Sequence, residues 1–244
     1  MSTPRERHPT LIHSAAATST TLLVICLMIS AAVQAADVSQ VVHTVDFSGN
    51  HGKKAHDWLK ESGYRLERDA ADEDRLAFSF SATSLIIETK RKAFGHAMKE
   101  VPNVQARKVR IIWGVDRYPV GASWEKGLKR EALMLFLFYG KEKIGSGSLF
   151  LPNTPYYAGL FLSEVDTKDK VYVGNHYTHC GRYVCLANPK PGEIVTSEFD
   201  LDAFKSMFGK DKTPALSGFS LEVDTSGTAD GLSKAFVSRI EFLN

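Results

Sequence analysis

Residues 132–140 read ALMLFLFYG, an apolar run closed by Gly140 and preceded by Lys129, Arg130 and Glu131. Crossing a bilayer takes about 20 apolar residues, so a run this short predicts a strand inside a sheet, covered on both faces. Upstream, VRIIWGVD (109–116) places Val109, Ile111, Trp113 and Val115 on one side by the two-residue period of a strand, which makes Trp113 a core residue. Downstream, GFSLEVD (218–224) sets Phe219, Leu221 and Val223 against Ser220, Glu222 and Asp224, the pattern of a strand with one dry and one wet face. Three such strands far apart in the chain call for a sheet-on-sheet fold.

The rest of the chain agrees. VVHTVDFSG, LAFSFSA, SLIIETK, SGSLFLP, YAGLFLSEV, KVYVGNHY, RYVCLA, EIVTSEF and KAFVSRIEFL read as further short strands, separated by Pro152, Pro155, Pro189, Pro191 and Gly192. LDAFKSMFGK (201–210) predicts one short helix, with Leu201, Phe204, Met207 and Phe208 on one side. HGKKAHDWLKESG (51–63) reads as either a helix or a loop. The expected fold class is all-β: a jelly-roll-like antiparallel β-sandwich with one short helix.

Of 244 residues, 43% are hydrophobic and 24% charged, which excludes a disordered chain. The 30 basic residues nearly cancel the 28 acidic ones, so no field argues for nucleic acid as a partner. The first stretch has Arg5 and Arg7, an apolar run from Leu22 to Ile29, and small residues ending at Val33, Gln34 and Ala35. That order predicts a signal peptide over 1–35, a β-sandwich domain over 36–244, no stable membrane insertion after cleavage, and a periplasmic or secreted location. Cys26 follows Val24 and Ile25 rather than a small residue, which argues against lipid anchoring.

IIWGVDRYPVGASWEKG (111–127), LMLFLFYG (133–140) and GFSLEVDTSGTADGLSKAFVSRIEF (218–242), taken in order, are similar to the bacterial family catalogued as domain of unknown function 3047. The similarity covers roughly residues 105–244. It implies an exported protein with a galactose-binding-like jelly roll, and it implies no catalytic residues. The family's acidic segment before the apolar strand reads GLKREA here, with Lys129, Arg130 and Glu131.

Export makes a disulfide the expectation for Cys180 and Cys185, which would staple the turn in THCGRYVC. Zinc held with His176 and His179 is the alternative, although the spacing matches no standard zinc module. For a glycan partner, the aromatic platforms expected in loops are Trp124, Tyr156, Tyr157 and Tyr177, because a ring covers the C–H face of a pyranose. A lyase reading centres on NHYTHCGRYVC, where His176 or Tyr177 would be the base and Asn175 or Arg182 would neutralise a uronate carboxylate. A glycoside hydrolase needs two convergent carboxylates, and spacing does not choose among Asp116, Glu125, Glu164, Asp166, Glu193 and Asp224. Asp224 and Asp230 bracket a polar loop that could take calcium, the one cofactor in view. A carbohydrate-binding sandwich is the leading reading, ahead of a polysaccharide-active enzyme and an envelope structural protein without a small ligand.

Overall fold

The computed structural model describes residues 40–147 and 151–244. The segment read as a signal peptide lies outside the described residues, as does part of the expected strand SGSLFLP. The described residues form one compact unit.

Among the described residues thirteen strands build two sheets. In the six-stranded sheet, β11 (Val195–Asp200), β6 (Lys108–Arg117), β13 (Lys234–Leu243), β4 (Leu85–Thr89) and β3 (Leu76–Phe80) lie in that order. The first strand, β1 (Val41–Asp46), also pairs with β13. The seven-stranded sheet runs β2 (Tyr64–Arg68), β5 (Phe94–Val104), β12 (Leu216–Asp224), β7 (Glu131–Ile144), β8 (Thr154–Leu162), β10 (Gly181–Ala187) and β9 (Val171–Tyr172). Pairing is antiparallel except where β10 joins β8 in parallel. The all-β sandwich expected from the sequence is the fold observed.

The inner faces meet in one core. Val109, Ile111, Trp113 and Val115 of β6 are fully buried, as the alternation requires, and Phe219 of β12 meets Phe242 of β13 across the sandwich at 6.3 Å. Trp113 donates its indole N–H to Ser197 Oγ at 3.1 Å, so its one polar atom is paired inside the core. Leu133, Leu135 and Leu137 of β7 join this core.

Helix α1 (Ala55–Glu61) resolves the segment that read as helix or loop; its Trp58 packs edge-on to Phe80 at 5.2 Å. The expected helix over 201–210 is shorter, α2 (Ala203–Phe208), ending at Gly209, whose φ of 62° a residue without Cβ takes at no steric cost. Phe204 of α2 packs on Tyr139 at 4.7 Å. Among the described residues no helix is long and apolar enough to cross a membrane.

Candidate functional site

The period of a strand sends alternate residues of the seven-stranded sheet away from the core, and here they do not form a plain wet surface. One cross-strand row holds Glu67, His96, Glu222, Met134, Phe161 and Cys185; the next holds Met98, Ser220, Phe136, Gly159 and Tyr183. Trp124, Met134, Phe136, Tyr157, Phe161, Tyr172 and Cys185 bury one another in a second apolar cluster on this outer side, with Phe138, Tyr177 and Tyr183 packed partly against it. Gly159 makes the packing possible, because a Cβ there would collide with Met134 Sδ and the Tyr183 ring.

A loop is latched over this face by one carboxylate. Asp166 accepts from Ser123 Oγ at 2.8 Å, from the backbone N–H groups of Trp124 and Glu125 at 3.1 Å, and from Ser163 Oγ at 2.8 Å. Trp124 is thereby pressed onto Tyr183 at 4.3 Å and Phe161 at 5.3 Å. Beside it, Glu125 accepts from Lys170, Thr167 and Tyr172, and these bonds hold its carboxyl down to about 2.

At the β5–β12–β7 end of the face lies a polar centre. His96 Nδ1 sits 3.0 Å from Glu222 Oε2, and Glu131, at the start of β7, lies within hydrogen-bonding reach of Glu222. Burial first, then the charges of Glu222 and Asp224, hold the Glu131 carboxyl well above the usual range, so it keeps its proton where an ordinary glutamate has lost it. For His96, burial alone acts downward, but the hydrogen bond and charge of Glu222, helped by Glu67, outweigh it and the imidazole is raised. Among the described residues, the buried Trp124 Nε1, Glu131 Oε2 and Ser220 Oγ on this face have no protein partner.

Around this centre the rings are contiguous. Phe94 meets His96 at 4.9 Å, His96 meets Phe136 at 6.5 Å, Phe136 meets Phe138 at 6.3 Å and Tyr157 at 5.2 Å, and Tyr157 meets Tyr177 at 6.0 Å. Phe94, Phe138, Tyr177 and Tyr183 are only half-buried, and the His96 side chain keeps 19% of its exposure. This strip can offer flat apolar faces next to hydrogen-bonding groups.

The structure divides the residues singled out from the sequence. Trp124 and Tyr157, expected as open platforms, are 6% and 4% exposed because their rings complete the second cluster. Tyr156 points to the other side of the sheet and packs on Phe208 at 4.9 Å. Tyr177, with φ of 56°, reaches the outer face and donates to Pro152 O at 3.0 Å. His176 and Arg182 do not join it: His176 is exposed, and Arg182 donates to Thr178 O and Gly181 O with its guanidinium 5.1 Å over Phe208. Tyr177 thus stands in the loop before β10 against the outer face, while Arg182, within β10, turns to Phe208 on the other side of the sheet.

The expected disulfide is not formed, and Cys180 and Cys185 are two buried free thiols. Residues 181–187 run as an extended strand, and at about 3.3 Å per residue the two Cα atoms stand well beyond the roughly 7 Å a bridge tolerates. Burial raises both thiols, Cys185 to about 11. Of the calcium candidates, Asp224 is taken by Ser226 and by Arg130 at 3.3 Å, and Asp230 by Arg117 at 2.7 Å. Among the described residues no three His, Cys, Asp or Glu side chains gather as metal ligands.

His96, Glu131, Glu222 and Arg68 were missed as site residues. The strand carrying His96 inverts the usual signal, because its core-facing residues are the small Gly95 and Ala97 while Phe94, His96 and Met98 face outward. Glu222 occupies the position that alternation assigns to water, yet it is 8% exposed.

No protein-family model matches the chain, and no curated protein matches it. Among solved structures, the xyloglucanase domain of NopAA, a type three effector from Sinorhizobium fredii in complex with cellobiose, is similar at a TM-score of 0.42 and 11% identity, covering 75% of this chain and 95% of that one.

Proposed function

We propose that the chain is an exported glycan-binding β-sandwich that holds its ligand on the outer face of the seven-stranded sheet, between His96, Phe138 and Tyr177. The observation that carries this reading is the half-exposed strip of rings running into the His96–Glu222 pair. A pyranose has an apolar C–H face and a hydroxyl rim, and a ring bordered by an imidazole and a carboxylate meets both. The signal-like order of residues 1–35 supports export to the periplasm or beyond. The resemblance over 105–244 to the exported family is in line with that location.

Calorimetric titration of the full chain with oligosaccharides tests the reading. Dissociation constants between about 1 μM and 1 mM are expected, since each hydroxyl contact gains little over water. Phe138→Ala and Tyr177→Ala should each weaken binding about fivefold, a stacking contribution near 1 kcal/mol, with the fold intact by circular dichroism. Unchanged affinity in both variants sinks the assignment of this face.

A further inference from the structure

Resting on the reading that this face holds a glycan, we propose that it cleaves uronate-containing glycans by β-elimination, with His96 as the base and Arg68 neutralising the substrate carboxylate. Arg68 ends β2 in the left-handed region, with φ of 55°, where a side chain costs backbone energy and where strain collects at functional sites. Its guanidinium lies 5.0 Å over the Phe94 ring, and Phe94 in turn meets His96 edge-on at 4.9 Å. Among the described residues no carboxylate pairs with Arg68, whereas the exposed face of the other sheet satisfies its arginines with glutamates and an aspartate. A strained, exposed cation left without an anion beside an imidazole selects an acidic ligand over a neutral one.

The imidazole is oriented for proton transfer. Glu222 holds Nδ1, so Nε2 is the nitrogen left to meet a substrate, and Glu131 behind Glu222 completes a file of proton-sharing groups. Glu222 and Glu131 are positioning residues, since both are buried, while His96 reaches the surface. In a uronate the carboxylate is attached to C5. Pairing it with Arg68 lets negative charge develop there as His96 Nε2 takes the C5 proton. The C5–H electron pair becomes the C4–C5 double bond, and the C4–O bond to the leaving sugar breaks with its pair on oxygen. That oxygen takes a proton from water and His96 returns its proton to water, so neither an oxidant nor net water is consumed.

Only neutral imidazole can act as this base, and the charged groups acting on it are Glu222 from β12 and Glu67 and Arg68 from β2. Their net effect raises His96, so the rate climbs with pH through that raised value.

The test uses the full chain with polygalacturonate, polyguluronate and neutral cellohexaose, following the ultraviolet absorbance of the C4–C5 double bond alongside calorimetric binding. Absorbance should grow with at least one uronate polymer and not with cellohexaose. His96→Ala should lower kcat by about 10² to 10⁴ with little change in KM, and Arg68→Ala should raise KM for the same polymer. Glu222→Gln should move the acid limb of the pH profile downward, a shift that a loosened fold would not produce; circular dichroism checks each variant. Bound uronate polymer without double-bond formation, new reducing ends without it, or wild-type turnover by His96→Ala overturns the elimination and leaves glycan binding standing. Binding of cellohexaose alone overturns the acidic class, and binding of no glycan at all overturns the reading beneath it.

Discussion

On the outer face of the six-stranded sheet, Lys108, Glu198, Arg110, Glu241, Arg239 and Asp46 form a ladder of ion pairs at 2.6 to 3.8 Å, much of it open to water. On the outer face of the seven-stranded sheet the equivalent positions hold aromatic rings, a buried glutamate whose carboxyl is raised by burial and by Glu222, and a histidine–glutamate pair, partly roofed by the loop that Asp166 latches. Both faces are made by the same strand period. The first is a solvated surface whose charges are paired and screened, and nothing there needs a ligand. The second buries polar groups that have no partner among the described residues, an arrangement that costs stability.

The largest expected effect is at the roof. Trp124→Ala should cost about 3 to 5 kcal/mol in urea unfolding, the range for a buried large aromatic residue, because the ring sits against Phe161, Tyr172 and Tyr183. A variant of unchanged stability with weaker glycan binding would restore Trp124 as an open platform and erase the contrast between the two faces. Next comes the latch: Asp166→Ala removes the acceptor of four hydrogen bonds, for a loss of about 3 kcal/mol. Quenching of tryptophan fluorescence by iodide should rise in that variant as the loop opens.

A pH comparison sharpens the difference further. The Glu131 carboxyl is raised in the folded chain, so its contribution is complete below the ordinary value of 4.5 and is lost as pH rises toward the folded value. His96 is also raised, and its contribution is complete below 6.5 and lost as pH rises through its folded value. Both terms make the protein less stable at pH 8 than at pH 5. Glu131→Gln, which cannot ionise, should flatten that decline in urea midpoints; an equal decline in the variant assigns it to His96 alone. The smallest effect belongs to the ladder: Arg110→Ala should change stability by less than about 1 kcal/mol, and by less still at high salt.

The sandwich itself was legible before any coordinates. Val109, Ile111, Trp113 and Val115, the run 132–140, and Phe219, Leu221 and Val223 all lie in the core or in the middle of a sheet, because a strand with a buried face has to write its period into the chain. The helix expected over 201–210 is there in shortened form as α2, whereas α1 adds a second helix in the segment that reads as helix or loop. Strand β5 was not legible, since small residues on its core side and larger ones outside give a period of the wrong sign.

The site was legible only in fragments. Tyr177 was singled out and does reach the outer face, but His176, next to it in the chain, goes to solvent, and Arg182, five positions on, goes to the far side. The amino-acid order determined by itself that the chain makes two sheets, which residues of each strand share a side, and that residues 109–116 and 218–224 are core strands. Tertiary structure alone decided that Glu222 is dry, that Glu131 meets it from another strand, that His96 completes the pair, and that Cys180 and Cys185 stand apart. The physical reason is that strand period assigns a side chain to a side of the sheet, whereas what covers that side comes from loops more than 40 residues away, as Asp166 and Trp124 do here.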